Sequence, residues 1–145
     1  MDLLKLLRDR HAGWVKITFA KNYNYDLNEV MARVGLPKGP SELRKASQEE
    51  AIDTMTAILW RDMAYRVELI DKEQAHQRAL EFVAEYALAG AEFYNNLFYY
   101  GEPERTSASV FQSPSGSQFS DSTFNMCLVI VNPDAAICVL AEDED

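Results

Sequence analysis

The sequence predicts an α+β fold in which N-terminal helices pack on a C-terminal antiparallel sheet of three or four strands. Two apolar, β-branched segments near the C-terminus flank Asn132-Pro133-Asp134, residue types that turn a chain, and this pattern is typical of a β-hairpin. Helical periodicity of apolar residues occurs in segments before residue 90 and precedes the strand-like segments instead of alternating with them.

The predicted hairpin is apolar on both of its faces. Alternate residues of its first strand are Met126, Leu128 and Ile130 on one face and Cys127, Val129 and Val131 on the other. A strand covered on one side only would alternate with polar residues, so we expect other elements to cover both faces. The hairpin should therefore form the centre of the sheet, with an acidic tail at residues 142–145 leaving its edge.

The chain is 145 residues long, which is enough for one domain with a proper core. We expect a single domain over residues 1–145. Its helical part covers about residues 1–90, its sheet part about residues 92–141, and its tail residues 142–145.

The N-terminal part contains two predicted helices. Residues 2 to about 11 have the pattern of a short amphipathic helix that ends near Gly13. Apolar and polar residues alternate over Trp14–Phe19 as in a strand, although the segment is short enough that a helix is also possible. Asp26–Glu29 has the form of a capping box and starts a helix that should end at Gly35.

Two longer helices follow. Ser47–Glu50 is a second capping box and opens a helix. One face of this helix carries an apolar stripe that consists of Ile52, Met55, Leu59 and Met63, widened by Ile58 and Trp60. The acidic residues lie mostly beside this stripe, and they are Glu49, Glu50, Asp53 and Asp62. Asp71, with Gln74 three residues later, opens a helix that closes near Gly90. A short turn joins the two helices, which should pack as an antiparallel pair.

Residues 92–100 are strongly aromatic and more typical of a strand than of a helix. Residues 104–123 are rich in serine and indicate a long loop, with residues 108–112 as a candidate edge strand. Five closely spaced rings cannot all be buried by alternation, so we expect some of the tyrosines at the surface.

The net charge of −9 disfavours nonspecific binding to nucleic acid or to an anionic membrane, since a basic surface supplies most of that affinity. It is compatible with a basic protein partner. The apolar part of the N-terminus is too short and too charged for a signal peptide, and no run approaches 18 apolar residues. We therefore expect a cytoplasmic protein.

No catalytic or metal-binding motif stands out. Glu73 and His76 have the Glu-x-x-His spacing of bundle metal sites, but the only other histidine is His11, and a surface pair is the preferred interpretation. Cys127 and Cys138 should lie near each other as buried, reduced thiols with a raised pKa. Neither a nucleophile elbow nor a phosphate-binding glycine loop occurs. We predict no catalytic residues, no metal, no cofactor and no enzymatic activity.

The segment Phe119-Ser-Asp-Ser-Thr-Phe124, the apolar hairpin and the terminal Glu142-Asp-Glu-Asp145 together resemble the C-terminal architecture of small acidic bacterial immunity proteins. Such proteins protect against toxins of type VI and contact-dependent secretion systems. The resemblance covers the last third of the chain. It implies a binding protein that occludes the active site of one toxin, whose cleft is basic.

We predict partner contacts at the aromatic run, the serine-rich loop and the acidic tail, namely Tyr99, Tyr100, Glu102, Glu104, Asp121, Glu142, Asp143, Glu144 and Asp145. Two other functions stay open: a dimeric acidic secretion chaperone and a metal-dependent enzyme that uses carboxylates. The sequence leaves the choice between monomer and dimer undecided.

Overall fold

A computed structural model of the chain describes residues 14–21, 27–33, 43–62, 67–98, 115–116 and 124–143. The helices are α1 (Leu27–Arg33), α2 (Gln48–Trp60) and α3 (Lys72–Tyr86). The strands are β1 (Trp14–Lys21), β2 (Arg44–Ala46), β3 (Glu92–Asn95), β4 (Leu97–Phe98), β5 (Ser115–Gly116), β6 (Phe124–Val131) and β7 (Ala135–Asp143).

Five of the strands form one antiparallel sheet in the order β1-β7-β6-β3-β2. The β6–β7 hairpin has Leu128 opposite Val139, and the Asn132 amide donates to the Ala135 carbonyl at 2.8 Å to close its turn. Both strands of the hairpin have a neighbour on each side. The predicted central hairpin is confirmed.

Each face of the hairpin belongs to a different apolar cluster. Met126, Leu128 and Ile130 pack in the cluster that contains α2 and α3. Cys127, Val129 and Val131 face the opposite way and pack with Val30 and Met31 of α1. The prediction that both faces are covered is therefore confirmed, and the sheet lies between two layers of helix.

The two predicted helix starts at Ser47 and Asp71 are also confirmed. The Ser47 hydroxyl accepts from the Glu50 amide and the Glu50 carboxylate accepts from the Ser47 amide, both at 3.1 Å. Asp71 accepts from the Gln74 amide at 2.8 Å. These bonds satisfy amides that the first turn of a helix leaves without intrahelical partners.

The predicted order of helices first and strands last is wrong. β1 precedes every described helix, β2 lies between α1 and α2, and the main sheet has five strands instead of three or four. The physical reason is pairing between segments that are distant in the sequence. β1 pairs with β7 over eight residue pairs, from Trp14 opposite Glu142 to Lys21 opposite Ala135.

A second, two-stranded sheet joins β4 to β5. Its strand β5 lies within the predicted serine-rich loop, whereas the candidate edge strand at residues 108–112 lies outside the described residues. The predicted helix at residues 2–11 and the helix end at Gly35 also lie outside them. Within the described part of the chain, α1 begins at Leu27 as the sequence predicts, and no helix is both long and apolar enough to cross a membrane.

Candidate functional site

Of the nine predicted contact residues, two fall in the described part of the chain. These are Glu142 and Asp143, and both lie in β7. The other seven are outside it, and their contacts stay predictions; they are Tyr99, Tyr100, Glu102, Glu104, Asp121, Glu144 and Asp145.

Asp143, which we predict as a partner contact in the acidic tail, lies in strand β7 instead of in a tail. Asp143 is buried, with 2% of its surface exposed, and lies opposite Phe124 in the β6–β7 ladder. Glu142 is half-buried between Trp14 of β1 and Asn125 of β6. The acidic residues at the end of the sequence begin inside the sheet, because β7 is flanked by β1 and β6 as far as Glu142 and still pairs with β6 at Asp143.

The described rings of the aromatic run have structural roles. Phe93 is buried in the core beneath α2 and α3. Tyr94 is half-buried on the other face, and its hydroxyl donates to the Glu92 carboxylate at 2.8 Å. Burial, together with this bond to Glu92, raises the pKa of Tyr94 to about 12. Glu92 also forms an ion pair with Lys45 at 3.6 Å, which joins β3 to β2.

The exposed carboxylates instead collect on the helical layer formed by α2, α3 and their connection. Six of them are exposed, and they are Glu49, Glu68, Asp71, Glu73, Glu81 and Glu85. The sequence from residue 47 to residue 86 contains nine Asp or Glu against four Lys or Arg. This layer therefore presents a negative surface to solvent.

Two cations of the same layer gather at one point. The Arg61 guanidinium lies 3.8 Å from the centre of the Trp60 ring, and the Lys72 ammonium lies 5.2 Å from it. Cations attract the face of an indole at such distances. These two positive charges are thereby held where α2 ends and α3 begins, away from the C-terminal end of α3.

The outer face of α3 carries an acidic row. Glu73, Gln77, Glu81 and Glu85 follow one another at i, i+4 spacing, and all four are exposed. Gln77 donates to Glu81 at 3.5 Å. Like charges at this spacing destabilise a helix by a few tenths of a kcal/mol, roughly 0.2–0.5 per pair. The last turn of α3 contains no basic residue, although the helix dipole favours a cation there.

Exposed apolar side chains surround the same end of α3. Phe19 of β1 is 56% exposed and its ring centre lies 5.7 Å from that of Tyr86, the last residue of α3. Leu88, two residues after the helix, is 55% exposed, and Leu80 is 37% exposed. Phe19 and Leu88 therefore form an apolar patch at the end of α3 that carries Glu85, while Leu80 lies on another side of the helix.

A concavity of about 600 Å³ lies beside the first turns of α3. The described residues that line it are Lys72, Glu73, Gln74, His76 and Gln77. A volume of this size lies in the range of small-molecule pockets. It contains the predicted Glu73 and His76 pair, and both side chains are exposed.

Asp53 corrects the predicted surface of α2. The sequence placed it beside the apolar stripe, but Asp53 is buried, and so are the six residues that follow it up to Leu59. Asp62, also placed off the stripe, is buried too. α2 is thus enclosed from Asp53 to Leu59, whereas its first turn with Glu49 stays exposed. Burial raises the pKa of Asp53 to about 6, the charges of Glu49 and Glu50 add to the rise, and Lys72 opposes it.

The two cysteines form a buried contact in the hairpin. Their sulfur atoms are 3.8 Å apart, so the two cysteines lie near each other as predicted, and the pair is diagonal, with Cys127 opposite Leu140 and Cys138 opposite Val129. The bond with Cys138, together with complete burial, raises the pKa of Cys127 well above its ordinary value. Within the described ranges, no group of three or more His, Cys, Asp or Glu side chains is placed to hold a metal ion.

Sequence reasoning missed the α3 surface, although part of it is readable. The spacing of Glu73, Gln77, Glu81 and Glu85 is visible in the sequence, and so is the acidic excess between residues 47 and 86. The position of Phe19 beside Tyr86 is not, because it depends on the pairing of β1 with β7. No family model, no curated protein and no solved structure matches the chain.

Proposed function

We propose that the chain is a binding protein of the immunity type, which protects a bacterial cell by covering the active-site cleft of one toxin. The observation that carries this proposal is the negative helical layer with its six exposed carboxylates. A partner with a basic cleft would meet this layer with complementary charge.

The physical effect of that layer would be on association. Complementary potentials speed the encounter of two proteins and set their orientation, and close charge pairs then slow dissociation. A toxin that acts on an anionic substrate needs a positive cleft, and the carboxylates of α2 and α3 would occupy it in place of the substrate. The cytoplasm is the compartment in which we place this activity.

The fold supports an occluding role through its rigidity. α2 and α3 pack on a sheet whose central strands are covered on both faces, and capping bonds fix both helix starts. A preorganised surface loses little conformational entropy on binding, so more of the interaction free energy appears as affinity.

The test is coexpression with the product of the neighbouring gene. We expect the wild-type chain to restore growth of cells that produce this toxin and to copurify with it in a complex that weakens as salt rises. A variant in which Glu73, Glu81 and Glu85 are replaced by glutamine should restore growth less well at equal expression. Growth that stays arrested with the wild-type chain, together with the lack of a complex at low salt, would refute the proposal.

A further inference from the structure

The C-terminal end of α3 combines features that a helix on a purely solvated surface does not need. Glu81 and Glu85 repel each other at i, i+4 spacing, and Glu85 lies in the turn where the helix dipole disfavours a negative charge. Two large apolar side chains are exposed beside this end of the helix, namely Phe19 and Leu88. Each feature lowers the stability or solubility of the free chain slightly.

These features share one surface. Phe19 contacts Tyr86, which in turn lies 4.9 Å from Phe82, so β1 is tied to the last turns of α3 by a row of three rings. Leu88 is fixed beside them, because its amide donates to the Asn132 side chain at 2.8 Å. These contacts fix the position of Phe19 and of the backbone at Leu88 relative to the end of α3.

We infer that this α3 terminal surface, formed by Phe19, Glu81, Glu85 and Leu88, docks a cationic amphipathic segment of a partner protein. The inference deepens the proposed function and rests on it for the identity of the partner as a toxin. Apolar side chains of the segment would cover Phe19 and Leu88, while its lysines or arginines would pair with Glu81 and Glu85.

Charge and shape select this occupant. An acidic segment would be repelled by Glu81 and Glu85, and a purely apolar one would take charged carboxylates out of water at a cost in solvation. A cationic amphipathic segment satisfies both parts of the surface. Exposed aromatic side chains at the centre of such surfaces are typical anchors of protein interfaces, and Phe19 would have this role.

The first experiment uses a synthetic 18-residue helical peptide with one leucine face and one lysine face as its probe, and isotope-labelled wild-type protein. We expect the largest amide shift changes on titration at β1, the second half of α3 and residues 87–90. A peptide of equal composition with the two faces scrambled should bind at least about tenfold more weakly. Shift changes centred elsewhere, or equal affinity for both peptides, would overturn the inference.

Matched variants give the second experiment. Glu81→Lys and Phe19→Ala should each weaken binding of the amphipathic peptide by about tenfold, a typical loss for an anchor position. Glu29→Lys and Val67→Ala are the controls, because Glu29 lies in α1 on the opposite face of the sheet and Val67 is exposed in the connection between α2 and α3. They should change the affinity by less than about twofold. Equal losses in all four variants would overturn the inference.

The same four variants are then coexpressed with the toxin. If the wild-type chain fails to restore growth while the peptide experiments succeed, the proposed function is wrong and the docking surface stands. If the wild-type chain restores growth and Glu81→Lys and Phe19→Ala do so equally well, the proposed function stands and this surface is not the one that meets the toxin.

Discussion

Asp53 is a carboxyl group in an environment that disfavours its charge. It is buried in α2 near the like charges of Glu49 and Glu50, with Lys72 as the opposing influence. Sequence periodicity could not identify this, because a position beside an apolar stripe is normally exposed. Asp53 is covered because α2 is enclosed from Asp53 to Leu59, and only the packing of the complete chain determines that.

The first prediction concerns the pH dependence that Asp53 produces. Its pKa is raised from 3.8 to about 6, so the folded state holds this proton more tightly than the unfolded state. Stability from this group is fully present below pH 3.8 and is lost as pH rises through 6. Asp53→Asn should therefore stabilise the protein at pH 7.5 by roughly 1–3 kcal/mol, with the difference shrinking towards zero between pH 6 and pH 4.

Urea unfolding of the wild type and the variant across that pH range measures the effect. Glu81→Gln is the control, since it removes an exposed carboxylate, and its difference from the wild type should change little with pH. A gain from Asp53→Asn that is the same at pH 4 and at pH 7.5 would contradict the assignment of the raised pKa to Asp53.

The second prediction concerns the thiols of the hairpin. Cys127 and Cys138 are fully or almost fully buried, and the raised pKa of Cys127 lowers the fraction of reactive thiolate at neutral pH. We expect neither thiol to react with a thiol-specific disulfide reagent in the folded protein within minutes, and both to react in denaturant. Rapid reaction of the native protein would contradict this description of the pair.

At the scale of elements, Asn132 fastens the turn of the hairpin to the end of α3. Its side-chain amide donates to the Tyr86 carbonyl and its side-chain oxygen accepts from the Leu88 amide, both at 2.8 Å. The two groups belong to the C-terminal end of a helix, which would otherwise leave such carbonyls without partners. Asn132 is 5% exposed, so water has little access to replace these bonds.

The third prediction follows from this junction. Asn132→Ala removes both bonds and leaves buried groups of the helix end unsatisfied, which should destabilise the protein by about 2–4 kcal/mol. Chemical unfolding monitored by circular dichroism measures this loss. Asp134→Asn in the same turn is the control, because Asp134 is exposed and should change the stability by less than about 0.5 kcal/mol. Equal effects of the two variants would argue against the junction.

The elements that could be predicted are those that depend on interactions between residues close together in the sequence. The starts of α2 and α3 are set by contacts within three residues, and the hairpin by its turn and its apolar residues, so all three were readable. β1 and its partner β7 are more than a hundred residues apart in the chain. That pairing explains why the sheet was predicted too small, the acidic end was predicted too exposed, and Phe19 was missed.

At the scale of the whole molecule, charge is divided along the chain. Residues 1–46 contain nine Lys or Arg and five Asp or Glu, whereas residues 47–145 contain five and eighteen. The composition predicted a basic partner from the total alone, and the fold places much of the negative excess on the α2–α3 layer. A surface of one sign favours association with a partner of the opposite sign, but it destabilises the free protein through repulsion.

The fourth prediction uses these two opposite consequences. Surface ion pairs such as Arg33 with Glu29, 2.6 Å apart, contribute at most about 1 kcal/mol each. Repulsion within a chain of net charge −9 should therefore dominate its response to salt. Raising sodium chloride from roughly 20 to 300 mM shortens the screening length from about 20 Å to about 6 Å. We expect the melting temperature of the free protein to rise by a few degrees.

Over the same range, affinity for the lysine-faced peptide should fall, because the attraction between its charges and Glu81 and Glu85 is screened. Differential scanning calorimetry and isothermal titration calorimetry in the same buffers measure the two quantities. Glu81→Lys is the informative variant: it removes one repulsive pair, so its melting temperature should be higher at low salt and approach that of the wild type at high salt. If salt changed stability and affinity in the same direction, this would contradict the view that the acidic row lowers the stability of the free protein while it favours binding of a basic partner.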